Sequence, residues 1–177
     1  MPGAGPSQDD LYRQVAESYG PALERLACAY EADPEERRDI LQDIHAALWR
    51  SFEGFQGRCS LRTWVYRVAH NVAGSHVTRR KRNNSMLLVG LDELERVGGE
   101  NTLAPEANRR HALDRLLELI QWLKPIDRQV ILSYLEGLDA GSIGEITGLS
   151  ESNVATKVHR IKQILARRFR EGSQHDE

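Results

Sequence analysis

The chain of 177 residues holds two cysteines, Cys28 and Cys59. They stand alone, with no CxxC pair and no nearby histidine pattern, so reduced thiols are expected rather than a disulfide or a zinc site. No apolar run approaches the ~18 residues that cross a bilayer, and no signal-peptide pattern opens the sequence. A cytoplasmic protein without membrane insertion is therefore expected. There is no HExxH, no carboxylate cluster at metal-ligand spacing and no glycine-rich phosphate loop. A helical nuclease or another enzyme thus has no catalytic residue to rest on, and no cofactor or metal is expected. No period-two strand pattern occurs anywhere, so the predicted fold class is all-α. Apolar residues make up 40% of the chain, enough for a core. Two cores of about 70 residues each would be marginal alone.

Net charge is only −2, but it is unevenly spread. Residues 1–53 carry five basic and eleven acidic groups, and residues 54–91 carry seven basic and none acidic. Residues 92–151 carry six basic and twelve acidic groups, and residues 152–170 six basic and none acidic. Two basic blocks alternate with acidic ones, which gives two candidate nucleic-acid surfaces. The acidic blocks must face something else.

The second basic block belongs to a helix-turn-helix pattern over residues 138–169. Ile143 and Ile146 share a face of a short helix at 140–147. Gly148 sits where a helix stop needs positive φ, and Leu149 points back to the core. Ser150 is a good N-cap, and Glu151 in the first turn suits the helix dipole. Val154, Val158, Ile161 and Leu165 form the buried stripe of the second helix. That leaves Asn153, Thr156, Lys157 and Arg160 facing outward, with Ser152 beside them. A basic helix of this kind fits the major groove, where residues near its N-terminus reach base edges and later cations meet phosphates.

Upstream, residues 1–9 read as a disordered N-terminus and a helix is predicted over 10–31, interrupted at Gly20-Pro21. Asp33 and Pro34 start a second helix over 34–51, with Ile40, Ile44 and Leu48 inside and Asp39, Gln42, Asp43 and Arg50 outside. A loop with two glycines and two aromatics (FEGFQGRC) follows, and Ser60 caps a third helix over 61–79. Its expected core stripe is Leu61, Trp64, Val65, Val68 and Val72. Arg62, Tyr66, Arg67, His70 and Asn71 lie off that stripe. Residues 83–105 read as a linker with a weak helix at 91–97. Pro105 opens a helix over 106–123 that buries Leu113, Leu116, Leu117, Ile120 and Leu123, and Pro125 opens another over 126–136. The predicted organisation is a helical domain over 10–82, a flexible linker, a helix-turn-helix domain over 106–170 and a tail over 171–177.

Two blocks carry a family resemblance. DILQDIHAALWRSFEGFQGRCSLRTWVYRVAHNVAGSHVTRRKR resembles region 2 of sigma-70 family factors, whose hallmarks are a D-x-x-Q-D/E helix, a Trp, an aromatic loop and an S-x-R-T-W-x-Y-R-I-A-x-N helix. LKPIDRQVILSYLEGLDAGSIGEITGLSESNVATKVHRIK resembles region 4, the helix-turn-helix that reads the −35 element. Their order and spacing resemble the extracytoplasmic-function (ECF) group of RNA polymerase sigma factors. Three departures stand out. Gly144 occupies a position usually held by Ala, which should weaken its helix by about 1 kcal/mol while preserving the crossing. Thr147 replaces a common Leu, and Asn153-Val154-Ala155-Thr156 replaces a more basic run.

The resemblance implies a non-enzymatic initiation factor that binds core RNA polymerase and promoter DNA. Asp39, Gln42, Asp43 and Trp49 would dock on the clamp helices of the β′ subunit, and the second domain on the β flap. Phe55, Arg58, Ser60 and Arg62 would line a pocket for a −10 base leaving the stack. Arg67, His70, Asn71, Arg79 and Arg80 would meet phosphates and upstream base pairs. Ser152, Asn153, Thr156, Lys157 and Arg160 would contact the −35 element. Asp92, Glu93, Glu95 and Glu100 suit a linker that threads into a nucleic-acid channel, and equally a plain tether. Members of the group are usually held by an anti-sigma factor. The rival reading is a one-component helix-turn-helix regulator that acts without polymerase. It explains the C-terminal motif but leaves the SLRTW block without a task. A purely structural helical protein is disfavoured by the alternating charge.

Overall fold

A capping box opens the chain's first helix. The Ser7 hydroxyl accepts from the Asp10 backbone N–H (3.2 Å), and the Asp10 carboxylate accepts from the Ser7 N–H (3.3 Å) and hydroxyl (2.7 Å). These bonds from Ser7 hold the Asp10 carboxyl below its ordinary pKa. The computed structural model describes the backbone of residues 6–83 and 108–171 and the side chains of 6–79 and 112–170. Apart from residue 83, the predicted linker over 83–105 and its weak helix lie outside the described residues. The chain divides after Asn83 into two compact units. Among the described residues the elements are helices and turns, and no helix is long and apolar enough to cross a membrane.

The first unit has three helices: α1 (Gln8–Tyr30), α2 (Pro34–Ser51) and α3 (Leu61–Asn83). α1 begins two residues earlier than expected because Ser7 caps it, and it runs through Pro21 without interruption. The buried side chains Ala22, Leu23 and Leu26, just beyond the proline, anchor that turn to the core. Asp33 caps α2 by accepting from the N–H groups of Glu35 (2.8 Å) and Glu36 (3.1 Å). Ile40, Ile44 and Leu48 of α2 are fully buried against α1 and α3. Each such side chain contributes roughly 1.5–3 kcal/mol of burial.

α3 turns a different face inward from the one its hydropathy suggests. Its buried residues are Thr63, Val65, Tyr66, Ala69, His70 and Ala73, whereas Leu61, Trp64, Val68 and Val72 are half-buried. Ala69 and Ala73 let the helix approach closely, and the two rings fill the space on either side of them. The Tyr66 ring stands edge-on to Tyr19 at 6.4 Å and lies 6.3 Å from His70. Trp64 is drawn sideways instead, donating its indole N–H to Ser51 Oγ at 2.9 Å.

The second unit contains α4 (Asn108–Gln121), α5 (Pro125–Leu135), α6 (Ala140–Thr147) and α7 (Glu151–Glu171). Ile120, Leu123, Val130, Ile131, Ile143, Val154, Ile161 and Ile164 are buried here. Leu113 is exposed and Leu116 and Leu117 are half-buried, so the predicted α4 stripe enters the core only near its C-terminal end. Arg128, nearly inaccessible, donates from its guanidinium to the carbonyls of Gln121 and Leu123. It thereby satisfies carbonyls that the end of α4 leaves without helical partners.

The α6–α7 turn is set by two glycines. Gly148 has φ +76°, the left-handed conformation expected for a helix stop, and its N–H donates to Gly144 O at 2.8 Å. At Gly144 a Cβ would stand 2.7 Å from the Leu149 carbonyl oxygen. The glycine does more than weaken its helix while preserving the crossing: the returning backbone occupies the place a methyl group would take. Gly144→Ala gains about 1 kcal/mol of helix propensity but must push backbone aside. We expect a net loss of stability, seen as a lower melting temperature in thermal unfolding. A higher one would show that Leu149 moves freely.

Candidate nucleic-acid interfaces

In the first unit, the loop between α2 and α3 is pinned by aromatic contacts. A 3-10 turn, Phe52–Gly54, buries Phe52. Phe55 is half-buried, 6.5 Å from the Phe52 ring and 5.3 Å from Trp64. Ser60, though exposed, commits its hydroxyl to capping α3, 3.0 Å from Thr63 N and 2.8 Å from Thr63 Oγ1. Arg58 and Arg62 are exposed beside this anchored loop.

Along α3, Arg67 is half-buried and Asn71 and Arg79 are exposed. Arg67 and Asn71 share a face four residues apart. Nine residues separate Arg62 from Asn71, which sets them roughly 180° apart around the helix. The loop end and the α3 shaft therefore present different directions. The Arg80 side chain lies outside the described residues.

His70 is a correction. It is fully buried, with Nδ1 3.0 Å from the Tyr30 hydroxyl, and cannot reach a phosphate from there. Loss of hydration lowers its pKa to about 3. A neutral core histidine takes the place of a surface cation.

α2 presents Asp39, Gln42 and Asp43, all exposed, on one face. Trp49 is 44% exposed, so it is less buried than a core residue and less free than a surface one. Its indole N–H donates to Asp9 Oδ1 at 2.9 Å, and its carbonyl accepts from Gln8 Nε2 at 2.6 Å. Sequence reasoning missed this tether because residues 1–9, Gln8 and Asp9 among them, read as a disordered N-terminus.

In the second unit, Asp139 caps α6 through the Ser142 N–H at 2.8 Å, and that bond lowers its carboxyl pKa. Ser150 Oγ accepts from the Asn153 N–H at the start of α7 (3.3 Å). Ser152, Asn153, Thr156 and Arg160 are exposed together. The Thr156 hydroxyl donates to the Ser152 carbonyl at 2.9 Å. Lys157 stands apart from this set. Its Nζ donates to Asp127 Oδ1 of α5 at 2.6 Å, with the Asp127 side chain 6% exposed and that of Lys157 31%. Lys162 is similarly occupied, donating to the Tyr134 hydroxyl at 3.1 Å with its Nζ 5.0 Å from the ring centroid. Neither Asp127 nor Tyr134 was legible as a partner, because both lie about thirty residues away along the chain.

Two helical units, one with an acidic helix beside a basic one and the other with an exposed helix-turn-helix, define a DNA-binding transcription factor. Residues 15–83 match the family model for Sigma-70 region 2, and residues 113–165 match that for Sigma-70, region 4. The chain belongs to the sigma-70 family of RNA polymerase sigma factors, in its ECF group. Sigma factors act in transcription initiation, and the family match supports a non-enzymatic role for this chain.

It is 28% identical over 138 residues to the ECF RNA polymerase sigma-E factor of Haemophilus influenzae, covering 72% of this chain and 71% of that protein. It is 23% identical over 160 residues to the ECF RNA polymerase sigma factor SigX of Bacillus subtilis, covering 89% and 82%. Among solved structures, the fold matches the sigma factor RpoE of Bartonella quintana in complex with the anti-sigma factor NepR (TM-score 0.65, 18% identity, 90% and 96% covered).

The His70 environment has a pH signature. The pKa is 6.5 for an ordinary histidine and about 3 in the fold. Between these values the unfolded chain binds a proton that the folded chain refuses, so His70 favours folding above pH 6.5 and loses that contribution as pH falls. From pH 7.5 to 5 the loss amounts to about 2 kcal/mol. Urea unfolding of the protein and of His70→Gln should show the gap between them narrowing by this amount. A constant gap would mean that His70 titrates normally.

Proposed function

We propose that this chain directs core RNA polymerase to promoters with separate −35 and −10 elements and promotes their opening. The observation that carries the reading is the pairing, within the first unit, of an exposed acidic α2 face with the exposed cations of the adjoining loop and α3. A regulator acting without polymerase has no use for that pairing. Acidic side chains on α2 suit a basic partner surface and steer encounter with it. Asp39, Gln42, Asp43 and Trp49 are assigned to the β′ clamp helices, and the second unit to the β flap.

Phe55, Arg58, Ser60 and Arg62 form the loop-end group for an unstacked −10 base, with Ser60 acting by holding the loop rather than by contact. Arg67, Asn71 and Arg79, with Arg80, would follow the backbone and upstream base pairs. Ser152, Asn153, Thr156 and Arg160 would read the −35 element. The protein works in the cytoplasm, where the polymerase is. The RpoE structure includes an anti-sigma factor, and CnrH, a second fold match (TM-score 0.62, 19% identity, 88% of this chain and 84% of that chain covered), was solved with the cytosolic domain of CnrY. A protein inhibitor of this kind is proposed for this chain too.

Run-off transcription tests the reading. With bacterial core polymerase and fragmented DNA from the same genome, discrete RNA 5′ ends sharing two upstream motifs should appear. They should be absent with core alone. Tight sequence-specific DNA binding without such starts would favour the regulator. Asp43→Arg should weaken core binding at least about tenfold, since like charges at an interface cost several kcal/mol. Its circular dichroism should be unchanged. Arg62→Ala and Asn71→Ala should each impair −10 opening in single-strand fluorescence titrations. If neither does, the −10 assignment is wrong.

A further inference from the structure

We propose that Asp127 is a specificity-determining residue: by holding Lys157 against α5, it withholds one cation from DNA phosphates and suppresses sequence-independent binding. The inference rests on the reading of α7 as the −35 helix. Lys157 lies on one stripe with Asn153 and Arg160, four residues after the first and three before the second, and both neighbours are exposed. From that position a released lysine would reach the same groove edge. The Lys157 Nζ sits instead 2.6 Å from a carboxylate that is 6% exposed. A phosphate that captured Lys157 would strand this buried charge without its partner, which is costly.

Lysine at this position would contribute affinity without information. Phosphate contacts are blind to sequence and raise binding to all duplexes alike, whereas base contacts discriminate. Four α7 residues remain exposed for reading, and three of them (Ser152, Asn153 and Thr156) are small and uncharged. Such a face discriminates best when nonspecific attraction is low. Tyr134 engages Lys162 further along the same helix, so α5 restrains two of its cations rather than one.

The test is fluorescence anisotropy of the full-length chain on a labelled random-sequence duplex, between roughly 50 and 200 mM salt. Asp127→Asn should steepen the log Kd against log salt slope by about 0.9, the value for one added phosphate contact. It should also tighten binding several-fold at the low-salt end. Lys157→Gln alone should leave the slope unchanged, and in the Asp127→Asn background it should abolish the gain. A residue with only a structural role would weaken binding when replaced and would not steepen the slope.

Arg160→Gln serves as the control and should flatten the slope by about 0.9. If it does and Asp127→Asn does not steepen it, the proposal is overturned while the DNA-binding reading stands. If Arg160→Gln also has no effect, both fall. Should Asp127→Asn fail to fold, Lys157→Gln decides. An unchanged slope supports the proposal, and a flattening shows that Lys157 already meets phosphate and overturns it.

Discussion

Two buried, oppositely charged neighbours, Asp127 and Arg128, tie the second unit together at the first turn of α5. Arg128 reaches back to the carbonyls at the end of α4, and Asp127 reaches across to Lys157 of α7. Burying charged groups this deeply is costly, and these contacts offset the cost. The position of Asp127 near a helix N-terminus favours its charge as well. One dipeptide therefore orients three helices. The apolar stripe of α7 (Val154, Val158, Ile161, Ile164 and Leu165) could slide or rotate slightly on its own, because hydrophobic contact is not directional. The ion pair gives that contact a fixed register.

The first unit solves a different problem. It must build a core between an acidic helix and a basic one that pack side by side. Its core does this with rings and small residues: Ala69 and Ala73 bring α3 close, while Tyr30, Tyr66 and His70 fill the interior and the half-buried Tyr19 packs edge-on to Tyr66. The loop that precedes α3 is held by Phe52, Phe55, Trp64 and the Ser60 cap. Exposed arginines next to that loop thus stand on a rigid base, which suits the role proposed for it at an unstacked −10 base.

Much of this was legible in sequence because local chemistry decided it. The Asp33-Pro34 start of α2, the Gly148 stop and the Val154–Val158–Ile161–Leu165 stripe each depend on residues within a few positions of one another. The face of α3 was not legible. Its apolar and aromatic residues ring the helix, so neighbours from α1 and α2 choose the buried side, and His70 followed Tyr66 inward. Charged residues default to the surface in any sequence reading, which hid the roles of Asp127 and Arg128, while Asp9 fell in the stretch read as disordered. Leu113 was misread in the opposite sense: an apolar residue at the right spacing, it is 50% exposed. Gly144 was read as a helix-weakening exchange, when the real constraint was a backbone oxygen five residues on.

On the exposed face of α7 the Thr156 hydroxyl donates to the Ser152 carbonyl of the same helix, and the Ser152 hydroxyl lies 3.2 Å from that of Ser150 in the preceding turn. The frame that holds them lies behind, in α5 and α6. Substitutions at such positions usually change stability by no more than about 0.5 kcal/mol. On the proposed −35 reading of this face, promoter preference can thus drift during evolution while the scaffold stays intact. Paralogous copies of such a gene could acquire separate regulons through a handful of codon changes, without passing through an unfolded intermediate sequence.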